Sequence, residues 1–119
     1  MPKILIVDDD EQITNLFEKY LIEEGYQAIG LNDSSKALEL ANSINPDLIL
    51  LDLMMPQPDG FKLCRLLRAT QKFAHTPIII ITALGDTDSR VVAFGAGADD
   101  YLQKPFHITE LSKRIKALI

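Results

Sequence analysis

The chain has 119 residues, 47 % hydrophobic and 24 % charged, with 12 Lys and Arg against 17 Asp and Glu for a net charge of −5. That length fits one domain with a core burying roughly 60 to 70 % of the unfolded surface, and the composition argues against disorder. The acidic balance argues against direct nucleic-acid binding, the single Cys64 excludes an internal disulfide, and no apolar run approaches the ~20 residues of a membrane span.

Lys3 to Val7 is a short apolar run ending at Asp8-Asp9-Asp10, too short for a signal peptide and right for a first strand. Ile13, Leu16, Phe17, Tyr20 and Leu21 then recur on one face of a helix, with Asp10 as its N-cap and Gly25 as its stop. Tyr26 to Leu31 is a weaker strand signal. A second helix starts at Ser34 or Ser35, turns Ala37, Leu38, Ala41 and Ile44 inward, and closes at Asn45-Pro46. Leu48-Ile49-Leu50-Leu51 reads as a strand buried on both faces. Asp52 follows at once, and Pro56, Pro58 and Gly60 turn the chain away. Helix three begins near Gly60, faces Leu63, Cys64, Leu66 and Leu67 inward, and ends before Pro77. Ile78 to Ile81 is the fourth strand, with Thr82-Ala83 at its tip. A weaker helix runs from about Asp86 to Gly95, because Val91, Val92 and Gly95 are poor helix formers. Asp100 to Gln103 is a short fifth strand, and a last helix from Ile108 buries Leu111, Ile115 and Leu118.

Alternating strands and helices imply an α/β domain, a parallel sheet covered on both faces. The continuously apolar strands one, three and four belong in the centre, and the mixed or short strands two and five at the edges. The order 2-1-3-4-5 satisfies this: a flavodoxin-like doubly wound (βα)5 sandwich spanning residues 1–119 as one domain. Its topological switch point lies between strands one and three, so Asp8-Asp9 and Asp52 flank one crevice, joined by Thr82 and Lys104. Carboxylates this close repel each other unless a cation intervenes. A hard divalent ion such as Mg²⁺, with Mn²⁺ as a substitute, suits such oxygen ligands and leaves positions open for phosphate oxygens. A carboxylate there can attack phosphorus to give an aspartyl phosphate, with Lys104 neutralising charge and Thr82 donating a hydrogen bond.

The run Val7-Asp8-Asp9, the segment Leu51-Asp52-Leu53-Met54-Met55-Pro56 with Asp59-Gly60, the tip Ile81-Thr82-Ala83, and the stretch Tyr101-Leu102-Gln103-Lys104-Pro105-Phe106 come in one order and spacing. Together they resemble the receiver domains of two-component response regulators, most of all those attached to winged-helix transcription factors. The resemblance covers the whole chain. It implies Asp52 as the phosphoacceptor, Asp8 and Asp9 with Asp52 and the Met54 backbone carbonyl as metal ligands, Lys104 as the phosphoryl contact, Thr82 as the switch hydroxyl and Tyr101 as the switch aromatic. It implies a cis peptide before Pro105, and a phosphodonor that is a sensor histidine kinase or a phosphotransfer protein. On phosphorylation Thr82 and Lys104 are drawn toward the new dianion, and Tyr101 turns into the space Thr82 leaves. Such a switch needs about 5.5 kcal/mol of differential interaction to pass from 1:99 to 99:1. The resemblance further implies a charged face of Arg90, Asp99, Asp100, Glu110 and Arg114 for a phosphorylation-dependent homodimer, although Ala96 stands where an acid is often found.

The remaining polar residues have plainer readings. Asp10 is a helix cap, Asp86 and Asp88 are first-turn acids, and Asp99-Asp100 precede their strand, at the sheet edge opposite the acid pair. His75 and His107 face solvent, Cys64 packs in the core, and a reducing cytoplasm is the expected compartment. Two other functions compete. A phosphohydrolase using an aspartyl phosphate usually carries an acid two residues after its nucleophile, where this chain has Met54; a silent receiver-like binding module would have no need of all five polar residues. Within the receiver reading, transcriptional output competes with a stand-alone receiver acting through protein contacts or as a relay intermediate. The chain ends at Ile119, just as the last helix finishes, which fits either.

Overall fold

In the computed structural model, which describes residues 1–119, the elements run β1 (Lys3–Val7), α1 (Glu11–Glu23), β2 (Gln27–Leu31), α2 (Ala37–Ile44), β3 (Leu48–Leu51), α3 (Gly60–Ala69), β4 (Ile78–Thr82), α4 (Thr87–Gly95), β5 (Asp100–Gln103) and α5 (Ile108–Leu118). The strands form one parallel sheet in the order β2-β1-β3-β4-β5, as the strand compositions predict. Register decides what leaves the sheet together. Val7 pairs with both Leu31 and Leu51, so Asp8, Asn32 and Asp52 emerge abreast from three adjacent strands. Thr82 pairs with Gln103, which brings Lys104 out beside them.

The period-two alternation of strand side chains divides the core in two. Leu5, Val7, Ile49, Leu51, Ile78 and Ile80 face α2, α3 and α4, packing on Ala37, Ala41, Leu63, Cys64, Leu67 and Ala93. Ile4, Ile6, Leu48, Leu50, Ile79 and Ile81 face α1 and α5, against Phe17, Leu21, Leu111 and Ile115. Each fully buried Leu or Ile contributes about 1.5 to 3 kcal/mol, which sets the central strands as the rigid platform for the loops above them. No helix is long and apolar enough to cross a membrane.

Four of the five helices start on an aspartate chain's own cap or on a turn it caps. Asp10 accepts from Gln12 N–H, Asp59 from Lys62 N–H, Asp86 from Ser89 N–H, and Asp33 from Ser35 N–H ahead of α2. The sequence puts the start of α2 at Ser34 or Ser35; instead Ser34–Lys36 form a 3-10 turn and the α-helix proper opens at Ala37. Helix α3 stops at Ala69, where Thr70 turns extended, and a second 3-10 turn, Gln71–Phe73, fills the gap to Pro77. Two residues read as inward are not. Leu16 and Leu66 are 56 % and 40 % exposed, because the buried stripe of α1 is Thr14, Phe17 and Leu21 and that of α3 is Gly60, Leu63, Cys64 and Leu67. The peptides before Pro105 and Pro58 are both cis, the first implied by the resemblance and the second not.

Arg68 ties the side of the sheet away from the acids. Its Nε donates to the Gly97 carbonyl at 2.9 Å, one Nη to the carbonyls of Phe73 and Thr76, and the other to Asp99 Oδ2 at 2.7 Å. The same Asp99 oxygen accepts from Ile78 N–H at 2.8 Å. A planar fork with several fixed donors suits this gathering of carbonyls better than an ammonium would. The α4–β5 turn, the start of β4 and the end of α3 are thereby held as one piece.

Candidate functional site

One carboxylate oxygen from each of Asp8, Asp9 and Asp52 lies within 4.8 Å of the others. Asp8 and Asp52 are buried, at 3 % and 8 % exposure, whereas Asp9 is open to solvent. Backbone bonds fix the first two: Asp52 N–H donates to the Val7 carbonyl at 3.0 Å and Asp8 N–H to the Leu31 carbonyl at 3.1 Å. Lys104 Nζ stands 3.0 Å from Asp8 Oδ2 and 3.7 Å from Asp52 Oδ2, the only cation paired with the cluster. Met54 N–H donates to Asp52 Oδ1 at 3.3 Å, and Thr82, fully buried, lies against the same carboxylate.

Burial raises the Asp52 carboxyl above its ordinary range, Lys104 works against that shift, and Asp8 adds to it. The charged form of Asp52 therefore costs the fold free energy that a second positive charge would recover. The donor set is all hard oxygen, three carboxylates, and it is short of positive charge with one lysine against three acids. These residues fit a small divalent cation such as Mg²⁺ rather than a soft metal.

The sequence reading has the Tyr101 ring turn inward, into space that Thr82 vacates, on phosphorylation. Here the ring is inward, 3 % exposed, with its hydroxyl donating to the Leu84 carbonyl and Phe94 tilted against it. The Arg90 guanidinium sits 4.6 Å from the ring centroid, a stacking worth about 0.5 to 1 kcal/mol at a half-exposed site. Thr82 beside Asp52 and Tyr101 pointing inward thus coexist. Of the other charged-face residues, Arg114 pairs with Asp100 at 2.7 Å and with Glu110 at 2.9 Å. Asp99 leaves that group for Arg68. Val91 and Phe94 add exposed apolar surface on α4 nearby. His75 and His107 are exposed, and the Cys64 thiol, buried against the Ala96 carbonyl, has its pKa pushed up by burial.

Sequence reasoning misses Asn32 as a neighbour of the site and takes Ser34 only for a helix start. Strand two is an edge with a weak signal, so nothing in its periodicity marks its C-terminal turn as part of the crevice wall.

A parallel five-stranded sheet with an acid trio, a threonine and a lysine at its C-terminal edge defines a class of phosphoacceptor signalling module, and the family comparison agrees. The sequence pattern of the response regulator receiver domain matches residues 4–116, and the chain belongs to that family. It is 44 % identical over 119 residues to the DNA-binding dual master transcriptional regulator RpaA of Synechocystis, covering 100 % of this chain and 49 % of that protein. It is also 44 % identical over 119 residues to the transcriptional regulatory protein CpxR of Escherichia coli, covering 100 % of this chain and 50 % of that protein. The chain spans about half the length of these curated relatives. Among solved structures, the BeF3-activated N-terminal receiver domain of Klebsiella pneumoniae RstA superposes with a TM-score of 0.91 at 31 % identity, covering 98 % of this chain and 97 % of that one. Vibrio cholerae chemotaxis protein CheY4 gives a TM-score of 0.95 at 28 % identity over 100 % of this chain and 99 % of that one. As a receiver domain of a response regulator, the chain is a signalling switch rather than a turnover enzyme.

Proposed function

We propose that Asp52 is the phosphoacceptor of this receiver and that its donor is the phosphohistidine of a sensor kinase or phosphotransfer protein. The observation that carries this is the buried Asp52 carboxylate, facing Lys104 at 3.7 Å with Thr82 alongside, in a cluster of three acids. Asp52 Oδ attacks phosphorus, the P–N bond breaks, and the imidazole leaves with the electron pair; a carboxylate nucleophile carries no proton for a general base to remove. Asp8, Asp9, Asp52 and the Met54 carbonyl would hold Mg²⁺, which when bound offsets the charge that gathers on the transferring phosphoryl oxygens. Lys104 exchanges its bond with Asp8 for one with the phosphoryl group, and Thr82 donates to another of its oxygens. The domain thereby catalyses its own phosphorylation and later hydrolysis. An apolar depression lined by Ile13, Leu16, Phe17, Pro105 and Phe106 lies beside Lys104 and offers the donor protein a seat. We place the domain in the cytoplasm, where such donors work.

Incubation with Mg²⁺ and a small acyl phosphate, followed by intact mass, is expected to show one phosphoryl adduct that Asp52→Asn abolishes. An adduct that survives the substitution would defeat the assignment.

The resemblance to regulators with transcriptional output supports a second step, in which the face of α4, β5 and α5 pairs two copies. Arg114, Asp100 and Glu110 are poised there beside exposed Val91 and Phe94, and an exposed ion pair adds only ~0 to 1 kcal/mol, so the apolar residues must supply most of the affinity. Light scattering is expected to show a dimer once a phosphoryl mimic is added; a monomer at high concentration with the mimic bound would refute the pairing.

A further inference from the structure

We propose that Asn32 and Ser34, on the turn leaving β2, are positioning residues that set the width of the cation cradle. The proposal rests on the reading of Asp8, Asp9 and Asp52 as that cradle. Asn32 Nδ2 donates to the Asp8 carbonyl at 2.9 Å and to Thr14 Oγ1 at 3.0 Å. With the Leu31 carbonyl already accepting from Asp8 N–H, consecutive residues of one strand end grip both backbone groups of that acid. Two residues on, Ser34 Oγ donates to the Pro56 carbonyl at 3.0 Å, and Ser34 is 5 % exposed. Pro56 lies two residues past Met54, on the loop that follows Asp52.

One short turn therefore holds the β1–α1 loop with one side chain and the β3–α3 loop with another. Sheet pairing cannot do this second job, because β2 neighbours β1 but not β3. Helix initiation does not account for these bonds either, since Asp33 alone accepts from Ser35 N–H and Ser35 Oγ at the start of the following turn. Outer hydrogen bonds that orient a metal's ligands commonly carry a measurable share of its affinity. Without Ser34 the Pro56 carbonyl loses its donor and the Met54 segment is free to drift from Asp52. Without Asn32 the Asp8 backbone is held on one side only.

The test is a titration of the full chain with Mn²⁺ alone, reading free Mn²⁺ by electron paramagnetic resonance, with thermal melts in parallel. Ser34→Ala and Asn32→Ala are each expected to weaken Mn²⁺ binding by about three- to tenfold. Ser35→Ala, which removes a hydroxyl of the same turn that bonds only to Asp33, is expected to stay within about twofold of the native chain, and Ser34→Thr, which keeps the hydroxyl, to bind more tightly than Ser34→Ala. If Ser34→Ala and Asn32→Ala bind as the native chain does, or if Ser35→Ala falls with them, the bracket is a generic turn and the proposal fails while the cradle stands. If the native chain itself takes up no Mn²⁺, the cradle reading fails and takes the bracket with it. Ser34→Ala removes a single oxygen and is expected to keep its fold, which the melts check.

Discussion

Gly60→Ala is expected to destabilise the chain by about 2 to 3 kcal/mol and to cut the yield of phosphoryl adduct with it. Gly60 opens α3, where helix propensity alone would favour alanine by about 1 kcal/mol. Sterics reverse that sign. A Cβ at this position would lie 2.1 Å from the Asp52 carbonyl oxygen and 2.6 Å from Leu53 Cα. Both are backbone atoms with no rotamer to yield, and Gly60 N–H is itself bonded to the Leu53 carbonyl at 3.1 Å. Relief must come from moving α3 or the strand end that carries Asp52. Urea denaturation and intact mass check the two halves of the prediction, and equal or greater stability for the variant would show that the close approach carries no weight.

Lys104→Ala is expected to move two measurements in opposite directions. Lys104 is bonded to Asp8 at 3.0 Å and lies 3.7 Å from Asp52, so in the resting domain it competes with a divalent cation for the same acids. Removing a charge about 4 Å away is worth up to ~4 kcal/mol at an effective dielectric of 20, and its 23 % side-chain exposure reduces that considerably. Mn²⁺ should bind roughly three- to tenfold more tightly to the variant. The adduct should form about 10- to 100-fold more slowly, because a charge-assisted hydrogen bond of about 1.5 to 3 kcal/mol to the transferring group is lost. Weaker cation binding and slower phosphorylation together would show that the lysine only props the site open. An unchanged rate would remove it from the reaction.

What the residue string discloses and what it withholds divide along physical lines. Val7-Asp8 and Leu51-Asp52 announce the crevice because a continuous apolar run has one buried reading and an acid at its end has few. The Thr82 and Lys104 positions follow from the same strand arithmetic. The side chains around them are harder. The alternation of strands two and five is too weak to mark their flanking turns, so Asn32 goes unread and Ser34 reads only as a helix start until their partners are seen. The helical period of α1 admits Leu16 to the buried face, yet Thr14 takes the inner position because it serves Asn32 as a hydrogen-bond partner. Asp99 and Asp100 are chemically equivalent neighbours, yet the first, on the turn before β5, goes to Arg68 and the second, opening the strand, goes to Arg114.

That split has a consequence for how the sequence can vary. Gly97 has a φ of +109°, and a Cβ there would fall 2.5 Å from Arg68 Cγ, across the path by which the arginine reaches the carbonyls beneath it. Positions 68 and 97 are therefore constrained together: shortening Arg68 would remove the steric clash, but the left-handed φ at 97 would still strain any side chain placed there. A shortened residue 68 would also leave the Phe73 and Thr76 carbonyls without their donor, and Asp99 would keep only its bond from Ile78 N–H.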